Sequence, residues 1–138
     1  TSMAKDLCPC GSGERYAACC RPFHAGTAEA HTAERLMRSR FSAFARREVD
    51  YLWKTLHPDH PDRRRPEADV RRELLAACNR YRYVRLAVLA VEERPAGEES
   101  GVTFRAEVYE SGKDRSFSEA SRFRHDGVGW RYLSGVPG

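Results

Sequence analysis

The stretch Arg82-Tyr-Val-Arg-Leu-Ala-Val-Leu-Ala90 sets Val84, Leu86, Val88 and Ala90 at alternate positions. A period of two belongs to a half-buried β-strand, whose successive side chains face opposite sides of a sheet. Downstream the pattern returns in Val102, Phe104, Ala106 and Val108, and two further strands are expected over Phe117 to Phe123 and Gly129 to Leu133. Pro95 to Gly101, Ser111-Gly112 and Asp126-Gly127 supply the turns between them.

Upstream the period is helical. Leu36, Met37, Phe41, Phe44 and Ala45 make one stripe of a helix that Thr32 is placed to cap. Asp50 is expected to cap a shorter helix through Tyr51, Leu52 and Leu56, ending at His57-Pro58. Pro66 then opens a third, with Val70, Leu74, Leu75 and Cys78 turned inward. Helices first and an antiparallel meander afterwards give an α+β fold, the helices packed on one face of a curved sheet. With 138 residues the chain has room for one main core and a small appendage.

Four of the five cysteines fall together, as Cys8-Pro9-Cys10 and Cys19-Cys20, while Cys78 stands alone and reads as a core residue. A Cys-x-Cys or Cys-Cys disulfide closes a loop too short for relaxed geometry, so metal binding is the better account. Four thiolates favour tetrahedral Zn²⁺, because iron-sulfur clusters draw their ligands from wider spacings. The intervening residues suit a knuckle: Gly11-Ser12-Gly13 for a turn, Ser12 as a cap, Glu14 to Ala18 for about one helical turn, and Cys20 just past its end. His24 is a substitute fourth ligand or a surface histidine. Met3, Leu7, Tyr16 and Phe23 are the only large apolar groups in this region and cannot build a core. A structural zinc contributes roughly 10 to 16 kcal/mol of apparent binding energy near neutral pH, enough to order a segment of this size. Four thiolates also close the coordination shell, so one ion per chain is expected in a structural rather than a catalytic role.

Cys8-Pro-Cys-Gly-Ser-Gly-Glu-Arg-Tyr-Ala-Ala-Cys-Cys20 resembles the SEC-C motif, known from the tail of the preprotein-translocase motor ATPase, where the last ligand is His and here is Cys20. The order of the remaining elements resembles the cone-shaped NTF2-like fold. The whole chain resembles the YchJ family, which joins the two. The matching pieces are Cys8 to Cys20, Pro22-Phe-His-Ala-Gly26, Thr32 to Phe44, Asp50-Tyr-Leu52, Thr55-Leu-His57, Glu119 with Ser121-Arg-Phe123, and Trp130 with Tyr132. The chain departs at Tyr83, where the family tends to carry Trp, and it carries Glu99 at the acidic spot before the second strand. The expected division is a SEC-C zinc knuckle in residues 1–27 and an NTF2-like domain in 28–138. Thr1 and Ser2, before Met3, are read as a leftover of expression cloning.

The resemblance implies a cone, and a cone can enclose a pocket. Arg38, Arg40, Tyr51, Trp53, His57, Glu107, Glu119, Ser121 and Arg122 are the candidate lining. Glu119 and Ser121 share a strand face with Phe117 and Phe123. Burial there would lift a glutamate toward general acid-base use, whereas pairing with Arg38, Arg40 or Arg122 would make it a brace between helix and sheet. His57 reads either as a helix-ending cap or as a catalytic group, and with Asp59 and His60 it offers a weak second metal site. Trp53, Trp130 and Tyr132 are core aromatics or a stacking surface.

A net charge of +4, two of which four thiolates and one divalent cation would remove, is too small for the concentrated basic face of a nucleic-acid binder. Arg63-Arg64-Arg65 reads as a solvated loop among Pro58, Pro61 and Pro66. No apolar run approaches the ~20 residues that span a bilayer, and no secretory signal opens the chain, so a soluble cytoplasmic protein without membrane insertion is expected. Three functions follow in order: a module whose knuckle, with Arg15 and Arg21, contacts a protein partner; a small-ligand binder or enzyme using the cone; and nucleic-acid binding. By resemblance to other SEC-C carriers, the partner would be a chaperone, secretion or translation component. The oligomeric state has no signature in the sequence.

Overall fold

Thr32 opens the helix around which the rest is arranged: its hydroxyl accepts from the Arg35 backbone N–H at 3.1 Å, satisfying one of the first-turn donors. A computed structural model describes residues 7–138, so the expectation for Thr1, Ser2 and Met3 lies outside the described residues. In chain order the helices are α1 (Arg21–His24), α2 (Ala33–Arg46), α3 (Val49–Lys54) and α4 (Glu67–Arg80). The strands are β1 (Arg82–Glu92), β2 (Ser100–Glu110), β3 (Lys113–Asp114), β4 (Phe117–His125) and β5 (Trp130–Pro137). Every strand pairing is antiparallel, in the order β1-β2-β4-β5, with the short β3 folded back on the end of β2. This is the α+β fold expected, helices on one face of a sheet.

The α2 helix is buried nearly all round. Leu36, Met37 and Phe41 meet the sheet side of the core with Phe104, Val108 and Phe123. Its backbone ends at Arg47, which takes φ 60° where glycine is usual. After α3 the chain lies beside β5, with His57 N donating to Tyr132 O and Tyr132 N to Thr55 O, both at 2.8 Å. That pairing sets Thr55, a hydrogen-bond partner of Arg40, beside Tyr132.

Several boundaries differ from the sequence reading. Asp50 lies inside the first turn of α3 and pairs with Arg71 rather than capping, and α3 ends at Lys54, short of His57. Pro66 is the residue before α4, and Leu75 is exposed because α4 packs on one side only. In β1 only Leu86 is buried. Val84 and Ala90 are exposed because β1 shifts register against β2 between Tyr83 and Arg85 and again between Val88 and Ala90, so that Tyr83 rather than Val84 turns to the core. Val102, Phe104, Ala106 and Val108 of β2 are all buried, as their alternation requires. Ser111 and Gly112 both take positive φ at the tight turn into β3, and Gly127 does so between β4 and β5. The Arg63 to Arg65 stretch is a 3-10 turn over Pro61–Arg64 and its exit. Arg63 stacks on Trp53 and donates to Leu56 O, and Arg65 bonds Glu73 and Asp62, so two of the three cations serve the fold.

Candidate functional site

Two places in this fold gather chemistry: the cysteine knuckle and the interior of the cone. In the knuckle Leu7 and Arg15 form a single antiparallel bridge, and Cys8 N donates to Glu14 O at 2.8 Å. Gly11 and Gly13 both take φ near +85°, a region other residues enter only with strain, and so turn the chain tightly. Tyr16–Ala18 is one 3-10 turn, shorter than expected, and Ser12 does not cap it. The Ser12 hydroxyl accepts from Glu14 N and lies 3.1 Å from Cys19 Sγ. Cys20 sits past that turn, at the start of α1.

The four sulfur atoms of Cys8, Cys10, Cys19 and Cys20 lie within 4.8 Å of one another, all four residues are buried, and none forms a disulfide. Tetrahedral thiolate coordination, with metal–sulfur bonds of about 2.3 Å, needs sulfurs about 3.8 Å apart. Cys10 and Cys19 stand at 3.6 Å, so the donor set fits such an ion. The crowded neighbouring sulfurs push the ionisation of Cys8 and Cys20 in opposite directions, easing it at Cys8 and opposing it at Cys20. Sulfurs this close ionise together only with a compensating positive charge.

Part of that charge comes from α2. Arg35 donates from Nη2 to Cys19 Sγ at 3.2 Å and from Nη1 to Cys20 Sγ at 3.4 Å, and its guanidinium covers the Phe23 ring at 4.4 Å. Arg38 donates to Cys10 O at 3.1 Å, Ser42 Oγ lies 3.6 Å from Cys8 Sγ, and Arg46 stacks on Tyr16 at 3.8 Å. His24 is neither ligand nor surface residue. Its ring bridges Tyr16 OH at 2.7 Å and Ser39 O at 2.8 Å, and burial holds its pKa below the usual value. Arg35, Ser39, Ser42 and Arg46 recur at helical spacing along one face of α2, a polar stripe visible in the sequence beside the apolar one. Reading that stripe as a partner for the knuckle would have found Arg35.

The second place is a cavity of about 450 Å³ between α2 and the sheet. Met37, Arg40, Phe41 and Phe44 line it from α2, Tyr83, Phe104 and Ala106 from β1 and β2, and Phe117, Glu119, Ser121 and Phe123 from β4. Tyr132 lines it from β5, and Arg115, an exposed residue, completes the lining. Glu119 pairs with no arginine among the described residues. Its Oε2 accepts from Ser121 Oγ at 2.5 Å and from Tyr132 OH at 3.0 Å. Burial, and next the neighbouring carboxylate, raise the Tyr132 phenol above its usual pKa and keep it a donor.

Of the nine residues expected at the pocket, Arg40, Glu119 and Ser121 meet there. Arg38 faces the knuckle and pairs with Glu34, and the Tyr51 hydroxyl meets Ser39 Oγ at 2.7 Å. Trp53 lies beneath Arg63, Glu107 takes the Tyr109 hydroxyl, and Arg122 pairs with Glu92. His57 is buried behind β5, and its Nδ1 accepts from Asp59 N at 3.0 Å. His60 packs its ring on Tyr132 and accepts from Asp62 N. Trp130 is core, its Nε1 donating to His31 O. Cys78 is buried, and burial pushes its thiol up to about 11. Tyr132, offered by the sequence as a core or stacking aromatic, lines the cavity, while Tyr81, Tyr83 and Arg115 are lining residues that the strand pattern did not reach.

Residues 32–135 match the family model for the YchJ middle NTF2-like domain, and residues 5–22 match the SEC-C motif. A UPF0225 protein of Streptomyces avermitilis is 44% identical over 130 residues, covering 93% of this chain and 82% of that protein. The UPF0225 protein YchJ of Shigella dysenteriae is 37% identical over 130 residues, covering 94% and 82%. A SEC-C motif containing protein from Rhodopseudomonas palustris, solved in solution, superposes with a TM-score of 0.81 at 32% identity over 95% of this chain and 98% of that one. The crystal structure of a SEC-C motif containing protein from Psychrobacter arcticus gives 0.77 at 23% identity over 100% and 86%, a likeness of fold.

Proposed function

Because this chain belongs to the YchJ family, with a SEC-C motif ahead of that family's NTF2-like middle domain, we propose that it is a zinc-binding protein-interaction module. Cys8, Cys10, Cys19 and Cys20 hold one structural Zn²⁺ per chain, and the ion's chemistry is to fold the knuckle rather than to react. The observation that carries this reading is the convergence of four buried sulfurs that lie within 4.8 Å of one another. The division into a zinc knuckle, residues 1–27, and an NTF2-like domain, residues 28–138, is part of the proposal, as is a cytoplasmic location. The candidate contact surface for a protein partner is the outer face of the knuckle: Gly11 to Arg15 and Arg21 are exposed, while Arg35, Arg46 and His24 fix the inner face to α2. A surface mounted this rigidly binds with little ordering cost.

Elemental analysis of protein purified without chelator should give one zinc per chain. A value well below one with all thiols reduced overturns the metal assignment. For the partner, Arg15→Glu with Arg21→Glu leaves the sulfurs untouched and should lose whatever the native chain retains in pull-downs. Equal recovery from both proteins rejects the knuckle face. Nucleic acid is the competing partner class, and retention of oligonucleotides that falls steeply with added salt would favour it instead.

A further inference from the structure

Arg40 is a buried cation, 8% exposed, and pairs with no carboxylate among the described residues. Its Nη1 donates to Leu52 O at 3.0 Å and Thr55 Oγ1 at 2.6 Å, both neutral, and its guanidinium lies 4.9 Å from the Tyr132 ring centre. Nε and Nη2 have no protein acceptor among the described residues. No fully enclosed side-chain nitrogen there lacks a partner, so these donors open on the cavity that Arg40 lines. Burial lowers the Arg40 pKa to about 10, which keeps it charged at neutral pH.

We propose that the cavity binds a small aromatic carboxylic acid, its ring among Phe41, Phe44 and Phe104 and its carboxylate on the free edge of Arg40. A guanidinium edge matches a carboxylate in two parallel hydrogen bonds, and withdrawal from water strengthens the match. The aromatic walls favour offset stacking with a flat ligand. A volume of about 450 Å³ falls within the usual range for small-molecule sites. The charge balance agrees: the lining holds Arg40 and Arg115 against the single acid Glu119. Glu119 is held by two hydroxyl donors and makes no ion pair with Arg40, leaving that cation for a ligand. This site stands apart from the knuckle and does not depend on the partner proposed for it.

The test is calorimetric titration of the full zinc-loaded chain with 2-naphthoate and with its neutral isostere 2-naphthamide. The acid should bind one to one and at least about tenfold tighter than the amide. Arg40→Lys, which keeps the charge but loses the planar edge, should remove most of that preference. Ala106→Phe, which puts a ring into the cavity, should abolish binding of both in a protein whose circular dichroism stays native. Equal affinity for acid and amide overturns the ligand class, by a comparison that needs no variant. Failure of both to bind the native chain, or full binding to a folded Ala106→Phe protein, overturns the site.

Discussion

Arg35 and Cys19 stand sixteen residues apart in the chain, and Arg35 Nη2 donates to Cys19 Sγ at 3.2 Å. A divalent ion with four thiolates carries two net negative charges, and a guanidinium against the sulfurs offsets part of them. Groups that bond metal ligands in this way typically alter affinity about 10- to 100-fold. Arg35→Met keeps the stem over Phe23 and removes the donors. If the proposed zinc is bound, this variant should release it to a chromophoric chelator at least about tenfold more readily. Unchanged competition would reduce Arg35 to a packing residue.

Burial holds His57 and His60 below the ordinary 6.5, and the Nδ1 of each accepts a backbone N–H at 3.0 Å. Protonation therefore favours the unfolded chain. Their contribution is complete above 6.5 and is lost as pH falls through 6.5 and on through the folded values. His57→Asn with His60→Asn keeps an acceptor but does not titrate. Urea unfolding at several pH values should show a shallower loss of stability as pH falls below 6.5 in the double variant, His24 supplying a remainder of the same sign. Parallel curves for the two proteins would show that neither ring titrates on unfolding.

Tyr132 OH is one of two donors to Glu119 Oε2. Its removal leaves a half-buried carboxylate short of a hydrogen bond, a loss of about 2 kcal/mol for a charged acceptor. Tyr132→Phe should lower the urea midpoint accordingly, with the slope unchanged. An equally stable variant would show that water replaces the phenol.

Leu36 and Leu75 separate burial from periodicity. Leu36 is 1% exposed and Leu75 43%. Leu36→Ala should cost about 3 kcal/mol, while Leu75→Gln should stay within about 0.5 kcal/mol. A large loss from Leu75→Gln, read by thermal melts, would mean that a second molecule covers that face of α4.

The α+β class, the strands β2 and β4, the Thr32 cap and the four clustered cysteines were legible because each rests on neighbours in sequence. Glu119 and Ser121 were legible as a pair for the same reason, two positions apart on one strand face. Tyr132 was not, because its approach to Glu119 depends on a register shift between Arg122 and Phe123 that alternation does not reveal. Leu75 satisfied its period yet stays in water, since a period says which residues share a face and not whether anything covers it, whereas Val84 leaves the core face because it is the extra residue at a register shift between Tyr83 and Arg85.

By itself the sequence determined the local matters: periods, turns, a cap and the sulfur spacing, all set by backbone stereochemistry over a few residues. Only the tertiary structure decided that α2 serves three neighbours at once, with Leu36 and Phe41 in the core, Arg35 on the sulfurs and Arg40 at the cavity. The reason is geometric. Residues on one helix diverge by about 100° per step, and what each meets depends on elements that the chain brings back from far along its length.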